Sequence, residues 1–179
     1  SALNLVFSLA DHVTKVLVCD LDPQGNATSG FGIDPRSLKT SVYELVVCDA
    51  PVEEGIIKTK WVDVIGANVN LAGAEIDMIE MDRREYRLKM VLDQVREEYD
   101  YIFIDCPPID IVADTQLIEK YADRTIFIVR AGLFDRSMLA DLESIYQQKR
   151  FKNLALILNG TEGAGGYGYR YGYKYGYRY

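Results

Sequence analysis

Three aspartates stand where apolar runs end. The stretch Lys15-Val-Leu-Val-Cys-Asp-Leu-Asp-Pro-Gln-Gly-Asn26 delivers Asp20 and Asp22 to the carboxyl end of a buried-type strand. The stretch Tyr101-Ile-Phe-Ile-Asp-Cys-Pro-Pro108 delivers Asp105 to the end of another. An ionised carboxylate at a strand tip can orient an attacking hydroxyl or a hydrated cation, so such acids suit magnesium and water handling beside a triphosphate. Each stretch alone has a plainer reading, a strand followed by an acidic turn with Pro23 and Gly25 as turn residues, or a buried strand that ends in Asp. Two acid-tipped strands in one alternating pattern are harder to reduce to that.

The elements that must position these acids follow from the hydrophobic pattern. Short β-branched runs at 15–19, 62–65, 101–104, 125–129 and 154–158 alternate with segments of helical period. That alternation predicts parallel strands joined by crossover helices, an α/β domain of three layers with a mostly parallel sheet. Ligands in such sheets bind outside the carboxyl ends of the strands, so all three aspartates are expected at one edge. The clearest helix is expected over 83–98, where Leu88, Val91, Leu92 and Val95 form one apolar stripe and Asp82 with Glu85 has the form of a capping box. Further helices are expected near 2–11, 114–121 and 136–149, and one or two turns near 41–46.

Bulk composition bounds the rest. A chain of 179 residues, 49% hydrophobic and 26% charged, is long enough for one domain with a single core. No run reaches the roughly 18 apolar residues of a membrane span, and the first residues lack the form of a secretory signal, so a cytoplasmic protein is expected. Cys19, Cys48 and Cys106 are scattered without a Cys-x-x-Cys pair, which suggests reduced thiols and neither a disulfide framework nor a zinc site. The net charge of −7 is uneven: Arg170, Lys174 and Arg178 lie in the last thirteen residues, leaving 17 basic against 27 acidic residues in the body. An acidic body repels phosphate backbones, so broad nonspecific DNA binding is not expected of it.

Asp20-Leu-Asp-Pro-Gln-Gly-Asn-Ala-Thr-Ser-Gly-Phe-Gly-Ile-Asp34, with Ile104-Asp-Cys-Pro-Pro108, resembles the ParA-type partition ATPases of the deviant-Walker P-loop superfamily, over roughly residues 1–108. The resemblance implies ATP and Mg2+ as ligands. It gives Asp22 the task of orienting the attacking water, puts Asp20 in the magnesium and switch region, and makes Asp105 the metal-holding Walker B acid. From Ile109 onward, Phe134-Asp-Arg-Ser-Met138, Leu156-Ile-Leu-Asn-Gly160 and the tyrosine-rich end resemble the cytoplasmic domain of bacterial tyrosine autokinases of capsule and exopolysaccharide export. That likeness implies an alternative function, protein-tyrosine autokinase, with a membrane-protein activator and a place at the inner face of the membrane. Superfamily analogy gives Asn159 a role in reading adenine, and the intact protein is expected to be a homo-oligomer. The signature G-x-x-x-x-G-K-[ST] does not occur in the 179 residues, so the first strand and phosphate-binding loop are expected to be missing from the domain and this chain to be inactive alone.

From residue 161 the composition turns to glycine, tyrosine and a few basic residues, so the chain divides into a domain over 1–160 and a flexible tail over 161–179. Tyr167, Tyr169, Tyr171, Tyr173, Tyr175, Tyr177 and Tyr179 alternate with Gly, Arg or Lys. They are phosphoacceptor candidates on the kinase reading. Gly/Tyr/Arg repeats also serve as association segments that bind one another or RNA, and a lesser reading of their period of two is an edge strand against a partner. A noncatalytic interaction protein is therefore a third functional reading.

Overall fold

The structure is a computed structural model that describes residues 2–9, 14–107, 121–149 and 151–161. Its strands are β1 (Val16–Asp20), β2 (Ile56–Lys58), β3 (Asp63–Ile65), β4 (Tyr101–Asp105), β5 (Thr125–Arg130) and β6 (Leu154–Asn159). The α-helices described are α1 (Ala2–Leu9), α2 (Asn26–Gly30), α3 (Val42–Val47), α4 (Val52–Gly55), α5 (Ala74–Asp77), α6 (Arg87–Asp93) and α7 (Leu139–Gln147). One sheet has the order β2-β3-β1-β4, and β5 pairs with β6 in a second. Every pairing is parallel except β2 with β3, at the outer edge.

β1 is buried at all five positions, and its alternation sorts the core into two layers. Leu17 and Cys19 pack with Val42, Leu45 and Val46 of α3, Ile65, and Val91 and Leu92 of α6. Val16 and Val18 face the other way, against Val6 of α1, Val62 and Val64. A strand covered by helices on both faces must be apolar without interruption, which is why this run reads Val-Leu-Val-Cys. Each fully buried aliphatic side chain here contributes roughly 1.5–3 kcal/mol of transfer free energy. The result is an α/β fold with a mostly parallel sheet, as the alternation predicts.

The structure departs from the pattern in three places. The stretch expected as one helix over 83–98 is a 3-10 turn at Arg84–Tyr86, the helix α6, and a second 3-10 turn at Arg96–Glu98. Arg83 sits in the left-handed region at φ 54, and no side chain caps either start, so the box expected at Asp82 and Glu85 does not form. The two turns of α6 suffice to bury Val91 and Leu92, and its first residue is tied elsewhere: the Arg87 guanidinium donates to the Val46 carbonyl at 2.8 Å. A capping box forms instead at α3, where Ser41 N donates to Glu44 Oε2 at 2.7 Å and Tyr43 N to Ser41 Oγ at 3.2 Å. Strand β2 has only three residues, too few for a period to show. Of the helix expected at 114–121, all but Tyr121 lies outside the described residues.

Candidate functional site

β1 and β4 run parallel with Asp20 opposite Asp105, so two strand tips bring two carboxylates to one edge. The chain stays joined one step further, with Leu21 N donating to the Asp105 carbonyl at 2.8 Å. Asp22 follows two residues after Asp20. The three aspartates singled out in the sequence thus meet at the carboxyl end of one sheet, the edge where ligands bind in this architecture.

Asp20 is fully buried, and both of its carboxylate oxygens accept hydrogen bonds. Oδ1 accepts from Asp22 N at 3.0 Å, and Oδ2 accepts from both Thr28 N at 2.8 Å and Thr28 Oγ1 at 2.7 Å. Thr28 Oγ1 in turn accepts from Ala67 N at 3.0 Å. Burying a carboxylate is costly unless donors replace water, and here three do so. Asp20 therefore fastens the turn after β1, the helix α2 and the segment after β3 to one another. Thr28, buried like Asp20, is the residue that the reading of the sequence missed. Its place between Ala27 and Ser29 does not disclose a partner eight residues back.

Asp22 is only partly buried. Its Oδ1 accepts from Gln24 N at 3.0 Å and its Oδ2 from Asn26 Nδ2 at 3.2 Å, while its carbonyl accepts from Gly25 N at 2.8 Å. Gly25 makes this turn possible. Its φ is +62, and a Cβ there would lie 2.9 Å from Pro35 Cγ and 3.0 Å from the Ala67 carbonyl oxygen. The Pro23–Gly25 turn expected from sequence is thus a close approach of three segments as well as a bend.

Asp105 is part-buried, and its carboxyl is pushed up to about 6, first by burial and then by the charges of Asp20 and Asp22. At neutral pH it is an ionised acid facing two others, an arrangement that a divalent cation relieves. Among the described residues no group of three or more His, Cys, Asp or Glu is arranged to hold a metal ion. The donor set fits a magnesium that keeps its waters and touches one or two carboxylates, rather than an all-protein cage. Asp105 and Asp22 are the more open of the three acids, while Asp20 already accepts three hydrogen bonds and keeps acceptor capacity on Oδ1. These residues fit the metal and water side of a nucleotide site. A phosphate cradle of the form G-x-x-x-x-G-K-[ST] is not among residues 1–179.

The remaining candidates lie elsewhere. Asn159, at the exposed end of β6, pairs with Arg130, and its carbonyl accepts from Ala131 N at 2.8 Å. It belongs to the second sheet and not to the sheet that carries the aspartates. The seven tyrosines at 167–179 lie outside the described residues. The three cysteines are free; burial pushes the Cys106 thiol up to about 12 and the Cys19 thiol up as well, so neither is a thiolate at neutral pH.

The α/β fold with its mostly parallel sheet matches those of P-loop NTPase-like proteins. The family model described as an AAA domain matches residues 1–157, and the chain belongs to that family, within the ParA-like P-loop ATPase superfamily. Over 111 residues the chain is 49% identical to the sporulation initiation inhibitor protein Soj of Bacillus subtilis, a match covering 60% of this chain and 44% of that protein. It is 42% identical over 110 residues to the chromosome partitioning protein ParA of Myxococcus xanthus, covering 60% of this chain and 39% of that one. The chain thus spans less than half the length of these curated relatives. Among solved structures, cobyrinic acid a,c-diamide synthase of Mycobacterium smegmatis, with bound ATP analogue and magnesium, matches with TM-score 0.71 at 31% identity, covering 86% of this chain and 66% of that one. The VpsO kinase domain shares the fold with TM-score 0.72 at 23% identity, covering 90% of this chain and 77% of that one.

Proposed function

We propose that the protein is an ATP-binding and ATP-hydrolysing switch of the ParA/MinD type. In this reading Asp22 orients the attacking water, Asp105 faces the magnesium ion, and Asp20 sets the magnesium and switch region by holding the surrounding segments in place. The observation that carries it is the in-register pairing of Asp20 with Asp105, with Asp22 two residues on at the same sheet edge. When bound, magnesium would supply charge neutralisation at the phosphoryl oxygens. The protein's own contribution is positional. Asp22 is held by Gln24 N and Asn26 Nδ2. Its partial exposure leaves it accessible to water, whereas Asp20 is sealed. The ATP analogue and magnesium in the synthase structure support the same ligands here. A cytoplasmic setting and a homo-oligomeric intact protein belong to this proposal; no described helix is long and apolar enough to cross a membrane.

The test is Mg2+-dependent ATP turnover by the intact protein and its Asp22→Asn variant. Asparagine keeps the oxygen that Gln24 N uses, so the turn is retained while the base is lost. Turnover should fall by about 100-fold or more, the usual contribution of a positioned base. Unchanged turnover removes Asp22 from the role. A second reading, a tyrosine autokinase in which Asp22 activates a tyrosine hydroxyl, is favoured by the alternating tyrosines of 167–179. It requires phosphotyrosine to appear in those residues with ATP and to vanish in the same variant.

A further inference from the structure

We propose that the cavity at the amino-terminal end of the first sheet binds a small zwitterion with an apolar body, of the class of a free aliphatic amino acid or dipeptide. The inference is independent of the nucleotide reading. β1 runs from Val16 in the cavity wall to Asp20 in the acid cluster, which places the two sites roughly 13 Å apart at the rise of a strand. The cavity measures about 470 Å3, inside the roughly 300–1,000 Å3 of small-molecule sites. Every residue of its wall is among the described ones.

That wall is apolar where it is buried and charged, with both signs, where it is exposed. Val16, Val62 and Val95 supply the buried part, with Ile56, Trp61 and Tyr99 beside them. The charged part holds three lysines, Lys15, Lys58 and Lys60, and three acids, Glu53, Asp63 and Glu98. The two signs come from different elements. The lysines lie just before β1, at the end of β2 and in the turn between β2 and β3, whereas Glu53 lies in α4 and Glu98 in the 3-10 turn before β4. Asp63, at the start of β3, is already engaged, because the Tyr99 phenol donates to its Oδ2 at 2.7 Å. Burial and that carboxylate push the phenol up, so it stays a donor at neutral pH. A ligand of one sign is attracted by half of this rim and repelled by the other half. A zwitterion meets both, its carboxylate toward the lysines and its ammonium toward Glu53 and Glu98, while an aliphatic side chain covers Trp61 and the valines.

Hydrogen bonds hold the walls in place without a ligand. Thr59 Oγ1 donates to the Val62 carbonyl at 2.6 Å and accepts from Val62 N at 3.3 Å, and Thr59 N donates to the same carbonyl at 3.1 Å. These bonds pin the turn that carries Lys60 and Trp61, where Lys60 Nζ lies 4.4 Å from the centroid of the indole ring. On the other side Lys15 N donates to Asp100 Oδ2 at 2.8 Å and Asp100 N to the Lys15 carbonyl at 2.9 Å. The entry of β1 is thereby tied to the segment that holds Glu98 and Tyr99, and a site so preorganised loses little entropy on binding.

Trp61 is the one tryptophan of the chain, so its fluorescence, excited where tyrosine does not absorb, reads the site directly. Leucyl-leucine should change that emission saturably on the full chain, with a Kd of about 1 mM or tighter. N-acetyl-leucyl-leucine, leucyl-leucine amide and glycyl-glycine lack in turn the ammonium, the carboxylate and the apolar body, and each should bind about 5-fold or more weakly. Lys58→Gln and Glu98→Gln, both at exposed positions, should each weaken leucyl-leucine by about 3-fold or more with the circular dichroism spectrum unchanged. The absence of a saturable change with leucyl-leucine overturns the proposal. Equal binding of any of the three analogues overturns it too, as does unchanged affinity in either variant. Should a variant fail to fold, the analogue series on the unmodified chain decides alone.

Discussion

Asp105→Asn should make the protein more stable while removing the acid proposed to face the metal. The carboxyl is raised from 3.8 to about 6, by burial first and by Asp20 and Asp22 next. The folded state therefore holds a proton on Asp105 more tightly than the unfolded state does. The stability that this proton confers is complete below about pH 4 and is lost as pH climbs through about 6. A shift of about two units corresponds to about 3 kcal/mol at most, and solvent screening of this part-exposed group reduces that to about 1–2 kcal/mol. Asparagine carries no charge at any pH and escapes the loss. In a chelator, urea melts of the two proteins should diverge from pH 4 to 7, with the variant gaining about 1–2 kcal/mol and about 2–8 °C in Tm. Added Mg2+ should then stabilise the unmodified protein and leave Asp105→Asn unmoved. A variant less stable at neutral pH, or a difference that does not change with pH, would refute the electrostatic account of this cluster.

Two further outcomes test the frame around the acids. Thr28→Val removes both the hydroxyl donor to Asp20 and the acceptor for Ala67 N while keeping the volume, so urea unfolding should show a loss of about 2–4 kcal/mol. Gly25→Ala forces a methyl against Pro35 and the Ala67 carbonyl at positive φ, and should cost about 1–3 kcal/mol by the same measurement, with slower Mg2+-ATP turnover in the intact protein.

The sequence alone determined which residues are strand-tipped and acidic. A strand buried on both faces, as β1 is, needs an unbroken apolar run, and β3 to β6 carry similar β-branched runs, so these strands and the aspartates at the ends of β1 and β4 were legible without coordinates. The alternation of tyrosine over 167–179 is likewise written in residue order. What periodicity cannot encode is the identity of partners. Asp20 meeting Asp105 depends on parallel register, the seal on Asp20 depends on Thr28 reaching back from α2, and neither leaves a mark in local hydrophobicity. The breaks around α6 follow the same rule, because its apolar stripe announces a buried face but the packing against α3 sets how many turns are needed to bury it. Edge strand β2 is recognised by its antiparallel pairing with β3, which its three residues do not announce. Local composition thus settled the elements and their chemistry, and tertiary contact settled which of the carboxylates is sealed and which face solvent.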